Sequence, residues 1–309
     1  MAIPSAASYL GTMVRLVVRG RKAPGGEPRL PRERLAVERT GIRVSPRQLA
    51  RFLRVTDGEA LGAFQGSEAL LSPVFPAVWE AALGLELLAH PQAPPIPAGV
   101  LHAESECLPL RPLRLADTVR CRVEIERAEP HRRGTRLHLL SRNWNAPGQL
   151  CSENRMVVLL RSAAGDTSPD TPRRDRTPRH EGEDEVRAWE EVARWSLRGN
   201  HGRRYARVSG DYNPIHLWSL TARPFGFRRP ILHGFCIEAL VGHALIAHRC
   251  DGDPTRLRRL QITFRAPLLL PSTVSLQIGT SPRGWRFQLL GRSKNAPEKV
   301  CAEGAFVGG

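Results

Sequence analysis

The sequence predicts an α+β protein built from two antiparallel sheets, each wrapped around one long buried helix. Three observations predict it. Two segments, Val78–Leu88 and Phe235–Ala247, are bulky and apolar on all sides at helical spacing, the pattern of a helix enclosed by protein. Each is followed by alternating apolar segments separated by turn residues, the pattern of an antiparallel meander. The same order of features recurs on either side of a polar break.

Residues 1–40 read as a lead-in. Tyr9 to Val18 is apolar and is followed by Arg19, Arg21 and Lys22, whereas a secretory signal places its charge before the apolar region. An amphipathic or poorly ordered start fits this pattern, with a surface-associating helix as the alternative. Residues 41–162 form the first half. After its buried helix, Thr118 to Ile125 alternates through Val119, Cys121, Val123 and Ile125. Arg136 to Asn143 and Leu150 to Leu160 flank the turn residues Asn145-Ala146-Pro147-Gly148, as in a hairpin. Residues 163–185 are rich in Pro, Asp, Arg and Thr with no apolar period, and read as a linker. Residues 186–309 form the second half, with strands expected at Leu260–Arg265, Thr273–Gly279, Trp285–Arg292 and Lys299–Val307 after its helix.

The halves share particular residues as well as a plan. Asn145-Ala146-Pro147, then Cys151, recurs as Asn295-Ala296-Pro297, then Cys301. Pro112, Leu113, Leu115, Thr118 and Val119 recur as Pro267, Leu268, Leu270, Thr273 and Val274. Upstream, Arg54-Val55 matches Arg207-Val208, while Pro73 and Leu83 match Pro230 and Leu240. One such match is chance; four in one order indicate duplication.

Composition narrows the function classes. The net charge is +16, yet lysine occurs only at Lys22, Lys294 and Lys299, and the arginines are scattered through every segment. With 6% aromatic residues and no basic–aromatic stripe, a nucleic-acid partner is not expected. The charge suits a solvated surface or an anionic substrate carrier. No run of about 18 apolar residues exists, so no stable membrane insertion is expected. The six cysteines form no C-x-x-C pair and no zinc-type spacing, as reduced core thiols of a cytoplasmic protein would.

The chemistry concentrates in Tyr205-Ala-Arg-Val-Ser209-Gly210-Asp211-Tyr-Asn213-Pro214-Ile-His216. A carboxylate, an amide and an imidazole fall within six residues. Gly210 and Pro214 punctuate the segment, so its backbone is expected to turn rather than run as regular helix. Further on, His233-Gly234 opens the second buried helix, whose first N–H groups and positive dipole end can receive a developing negative charge. An acid/base pair beside a held carbonyl fits addition or removal of water next to a thioester, and requires no metal and no redox cofactor.

Tyr205, Val208, Ser209-Gly210-Asp211, Asn213-Pro214-Ile215-His216 and Ala222 resemble the signature of the MaoC-like, (R)-specific enoyl-CoA hydratase family (hydratase 2, 3-hydroxyacyl-thioester dehydratase). The resemblance covers roughly residues 190–309, with residues 40–160 a degenerate copy. It implies a double hot-dog fold and interconversion of trans-2-enoyl and (R)-3-hydroxyacyl thioesters of CoA or acyl carrier protein. It also implies catalytic roles for Asp211, His216, Asn213 and the Gly234 amide, with Tyr205, Ser209, Gly210 and His233 lining the substrate. The first half carries about Gly58, Ala60 and Ala63 where the second has Asp211, Asn213 and His216, and Pro76-Ala77 where the second has His233-Gly234. It is therefore expected to be inactive, completing the fold and providing room for the acyl chain. Because that fold pairs two halves, one chain suffices as a monomer (a pseudo-dimer), and a homodimer of chains is equally compatible. An acyl-thioesterase and a non-catalytic acyl-thioester-binding module are the alternative functions.

Overall fold

The computed structural model describes residues 9, 11–13, 15–16, 34–94, 96, 99–161, 186, 188–292 and 297–309. The linker expected over 163–185, and Asn295-Ala296 of the repeated turn, lie outside these residues.

In chain order the first half contains strand β1 (Ala36–Ile42), helix α1 (Pro46–Val55), helix α2 (Ala77–Ala89) and strands β2 (Val100–Pro109), β3 (Val119–His131), β4 (Gly134–Trp144) and β5 (Leu150–Arg161). The second contains β6 (Glu190–Leu197), α3 (His201–Ser209), α4 (Gly234–Arg249), β7 (Arg259–Phe264), β8 (Ser272–Ser281), β9 (Gly284–Arg292) and β10 (Lys299–Val307). β1 spans the residue-41 boundary, so part of the lead-in is a sheet edge. α1 begins where its sequence allows: Ser45 Oγ accepts the Gln48 amide at 3.2 Å and Pro46 occupies the first turn.

The strands form one sheet in the order β1-β3-β4-β5-β2-β7-β10-β9-β8-β6. This corrects the expectation of two separate sheets. β2 and β7 pair antiparallel, Glu106 opposite Gln261, and join two five-stranded halves edge to edge. Joining them satisfies the backbone groups that two free edges would leave exposed. The order reads alike from both ends, as a pseudo-twofold axis through the β2–β7 pair requires.

Hydrogen bonds confirm the duplication bond by bond. Leu110 and Arg111 amides both donate to the Cys151 carbonyl, and Arg265 and Ala266 amides both to that of Cys301. Leu71 N–H bonds Leu113 O as Leu232 N–H bonds Leu268 O, both at 2.8 Å. This pairing makes Ser72-Pro73, rather than Pro76-Ala77, the counterpart of His233-Gly234. The difference is one helical turn: Pro73 and Pro76 delay the start of α2, while Gly234 lets α4 start at once.

Both long helices are enclosed. In α4 every residue from Cys236 to Ile246 is buried, and α2 buries Trp79, Leu83 and Leu87. Each also buries one carboxyl. Glu80 accepts from the amide groups of Asn143 (2.6 Å) and Asn154 (2.8 Å), and Glu238 accepts from Ser105 Oγ–H at 2.7 Å. Burial pushes both carboxyls up to about 7, against the hydrogen bonds they accept. All six cysteines are free and buried. On the sheet, arginines pair with acids, as Arg34, Arg122 and Arg142 do around Glu124. Among the described residues no helix is long and apolar enough to cross a membrane.

Candidate active site

The motif is held by a helix end, a turn and a second helix start. α3 carries Tyr205 and Ser209, both almost fully buried, so the sequence expectation of a turn holds only beyond Ser209. Gly210 ends the helix at φ +75°, a left-handed conformation that glycine adopts without strain. Ser209 Oγ–H donates to the Tyr205 carbonyl (3.1 Å) and accepts the Asp211 amide (3.2 Å). Asp211 Oδ1 then accepts the Asn213 amide at 3.0 Å, and Asn213 Oδ1 caps the single turn Pro214–His216 through the Ile215 amide at 3.4 Å. The Asn213 contacts given by these bonds are thus within the turn itself.

The turn delivers His216 beneath Asp211. His216 Nδ1 lies 2.9 Å from the Ile231 carbonyl. A carbonyl only accepts, which assigns the proton to Nδ1 and leaves Nε2 as a lone pair when the ring is neutral. His233 stacks on His216 with ring centroids 3.7 Å apart and 26° between planes. Its Nε2–H donates to the Asp211 backbone carbonyl at 3.0 Å, so His233 positions the loop that carries the carboxylate. One potential ligand atom from each of Asp211, His216 and His233, a carboxylate oxygen and two ring nitrogens, lies within 4.8 Å of the other two. A water molecule, or equally a divalent cation, fits ligand atoms so spaced.

Electrostatics set the resting ionisation. Burial raises the Asp211 carboxyl, but His233, His216, a hydrogen bond from the Tyr9 hydroxyl and the Asn213 amide outweigh it and hold its pKa below the usual carboxylate value. Its side chain stays 22% exposed. Burial lowers the His216 pKa, with Asp211 and the Ile231 carbonyl opposing. Burial and then His216 depress His233 to about 3. At neutral pH the site therefore holds a carboxylate and two neutral imidazoles.

α4 starts at Gly234, directly after His233. The Cys236 and Ile237 amides turn back to the His233 carbonyl, while those of Gly234 and Phe235 find no acceptor among the described residues. The sequence-predicted residues thus converge: Asp211, His216 and His233 meet, the Gly234 amide opens beside them, and Tyr205 packs its ring 5.0 Å from that of His233. Buried polar atoms without a partner here are the Tyr205 hydroxyl and His233 Nδ1.

Two site residues escaped the sequence reading. His102 of β2 comes from the first half, lies between the rings of Phe235 (4.5 Å) and Phe264 (4.7 Å), and points Nδ1 at the Gly234 Cα. Its Nε2–H is taken by the Glu104 carbonyl at 3.1 Å. Burial lowers its pKa to about 4. Nothing local marks it, because the sheet brings it there. Tyr9 belongs to the lead-in; its buried ring packs edge-on against Tyr212 at 6.5 Å and its hydroxyl bonds Asp211. The helical spacing of Tyr9, Met13 and Leu16 was the available signal, since Met13 and Leu16 both pack on the core.

Residues 175–288 match the profile of the MaoC like domain. 3-Hydroxyacyl-thioester dehydratase X of Mycobacterium tuberculosis is 27% identical over 289 residues, 90% of this chain and 93% of that protein. The peroxisomal enoyl-CoA hydratase 2 of Arabidopsis thaliana is 30% identical over 54% of this chain and 56% of its own length. The crystal structure of HtdX from M. tuberculosis superposes with a TM-score of 0.66 at 22% identity, covering 88% of this chain and 99% of that one. Another M. tuberculosis structure, described as a double hotdog fold, superposes at 0.55 with 15% identity, covering 86% and 93%. The chain therefore has the double hot-dog fold, and residues 175–288, most of its second half, match the MaoC like domain.

Proposed function

We propose that the protein is a hydro-lyase that interconverts trans-2-enoyl and (R)-3-hydroxyacyl thioesters, with Asp211 and His216 as its acid/base pair. The observation that carries this is the meeting of a carboxylate, a neutral imidazole and an open helix start at one place in the fold. The thioester carbonyl accepts a hydrogen bond from the Gly234 amide, whose dipole end stabilises the enolate that forms when C2 carries charge. In hydration, water lies between Asp211 and His216. The pair takes one of its protons as the oxygen bonds to C3, the double-bond electrons move onto the carbonyl oxygen, and a proton returns to C2. Dehydration runs the same steps backwards. Asn213 and His233 hold the loop, and Tyr205 and Ser209 hold the helix end beneath it.

The substrate is an acyl thioester. CoA and acyl carrier protein both present it on a phosphate-bearing arm, and the arginine-rich surface suits either. The first half lacks a counterpart for each catalytic group, so one site per chain is expected, in a monomer or in a dimer of chains.

A crotonyl thioester tests the reading. Loss of the conjugated double-bond absorbance without release of free thiol is expected. Thiol release with the double bond intact makes the protein a thioesterase, and neither change leaves a binding module.

A further inference from the structure

A second cavity, of about 100 Å³, opens in the first half at the start of α2. The pseudo-twofold axis relates it to the cleft of the second half. It is lined by Ser72-Pro73 where that cleft has His233-Gly234, and by Pro109 where that cleft has Phe264. Phe264 places its ring tip 3.1 Å from the Cβ position of Gly234; Pro109 has no such reach, and space remains. The catalytic pair has no counterpart on this side: Gly58, Ala60 and Ala63 carry no titratable group, Pro73 has no N–H, and the buried His243 ring here is spent on Ser72 Oγ (2.8 Å) and the Thr56 carbonyl (2.9 Å).

What remains is a binding surface. Leu70, Leu71, Pro76 and Leu113 make the wall apolar, and Leu110 stands at it with 44% of its surface exposed. No acidic side chain lines the cavity, whereas Arg111 and Arg258 do. Arg111 spends Nη1 on the Leu150 carbonyl at 2.9 Å, and its other guanidinium donors make no hydrogen bond among the described residues. Arg258 belongs to a run whose neighbours are occupied: Arg256 pairs with Asp251 and Arg259 with Glu106. The Arg258 guanidinium makes no hydrogen bond or ion pair among the described residues.

We propose that the first half retains a non-catalytic site for an acyl chain ending in a carboxylate, its chain against Leu71, Pro76 and Leu113 and its head on Arg111 and Arg258. The volume admits about seven to ten water-sized groups, and a methylene is of similar size, so a chain near eight carbons fits. With Pro73 in place of an amide donor, a thioester carbonyl gains nothing here, while a carboxylate meets two guanidiniums.

Octanoate is the probe, with calorimetry on the full chain. Saturable one-site binding is expected, equal in wild type and Asp211→Asn, and not competitive with an enoyl thioester in turnover. Arg258→Ser should weaken it about tenfold, the loss of one charge-assisted contact. Pro109→Phe, which restores the ring of the second half, should abolish it. Leu110→Trp, at an exposed position that folding tolerates, should block the cavity as well. No saturable binding, binding unchanged in Leu110→Trp and Arg258→Ser, or competition with the enoyl thioester would each overturn the proposal. Turnover without octanoate binding sinks this site alone; octanoate binding without turnover sinks only the hydro-lyase reading.

Discussion

Replacing Gly234 by alanine tests whether the start of α4 holds the thioester. A Cβ there would lie 2.4 Å from His102 Nδ1, 3.0 Å from its Cγ and 3.1 Å from Phe264 Cζ, where ordinary contact begins at 3.4 Å. The overlap with Nδ1 is thus 3.4 − 2.4, or 1.0 Å. His102 has little freedom to yield: Phe235 and Phe264 flank its ring, and the Glu104 carbonyl holds Nε2–H. Either the first turn of α4 or the β2 imidazole must move by about 1 Å, a displacement that typically costs on the order of 100-fold in rate when it misplaces a reacting group. Overpacking should also destabilise the fold by about 1–3 kcal/mol. Alanine keeps the N–H and is the better helix former, so any loss reports position, not a missing donor. The assay is kcat/KM on a crotonyl thioester alongside a thermal melt. About 100-fold lower kcat/KM in a folded protein is expected, and His102→Ala added to Gly234→Ala should restore activity beyond that of Gly234→Ala. A folded Gly234→Ala protein with wild-type kcat/KM would refute the carbonyl-binding role, and failure of the rescue would refute the clash as its cause.

Asp211→Asn and His216→Ala should each lower kcat by about 10²–10⁴-fold while thioester binding survives; full turnover in either removes that residue from the mechanism. Burial holds the His216 pKa below 6.5, and protonation would occupy the lone pair it offers. Activity should therefore be level from neutral pH upward and fall only below pH 6.5; an acid limb centred above 6.5 contradicts a buried neutral imidazole as the base. Glu80 stays protonated in the folded protein up to about 7, whereas the unfolded chain releases that proton near 4.5. Its contribution is complete below pH 4.5 and is lost as pH rises through 7, a difference of about 3 kcal/mol. Glu80→Gln retains the acceptor for Asn143 and Asn154 and does not titrate, so its melting temperature relative to wild type should climb across that interval; parallel curves would show that Glu80 is not buried as a neutral acid.

Much of this arrangement was decided within short stretches of chain. The enclosed helices and most meander strands announce themselves because burial on all sides, or on alternate sides, constrains residue type at fixed local spacing. The candidate site was equally legible, since Asp211, Asn213 and His216 sit within six residues and only a turn can bring them together. The expectation that the first half is inactive comes from the same reading, although the register of its helix start against that of the second half was a helical turn off until the backbone bonds fixed it. The edge strands β1 and β6 were missed because one face of each is largely solvent and little apolar pattern results.

The fusion of the halves into one sheet was a tertiary decision. β2 and β7 join through backbone N–H and C=O groups, which every residue carries and no side-chain pattern reports. Tertiary packing also chose the Nδ1–H tautomer of His216 by setting it against the Ile231 carbonyl, and brought His102 and Tyr9 from distant segments to the cleft. The sequence by itself determined which groups can exchange protons. Only the folded chain decided which nitrogen is free to do so and what stands beside the Gly234 amide, because both depend on atoms that meet in space and not along the chain.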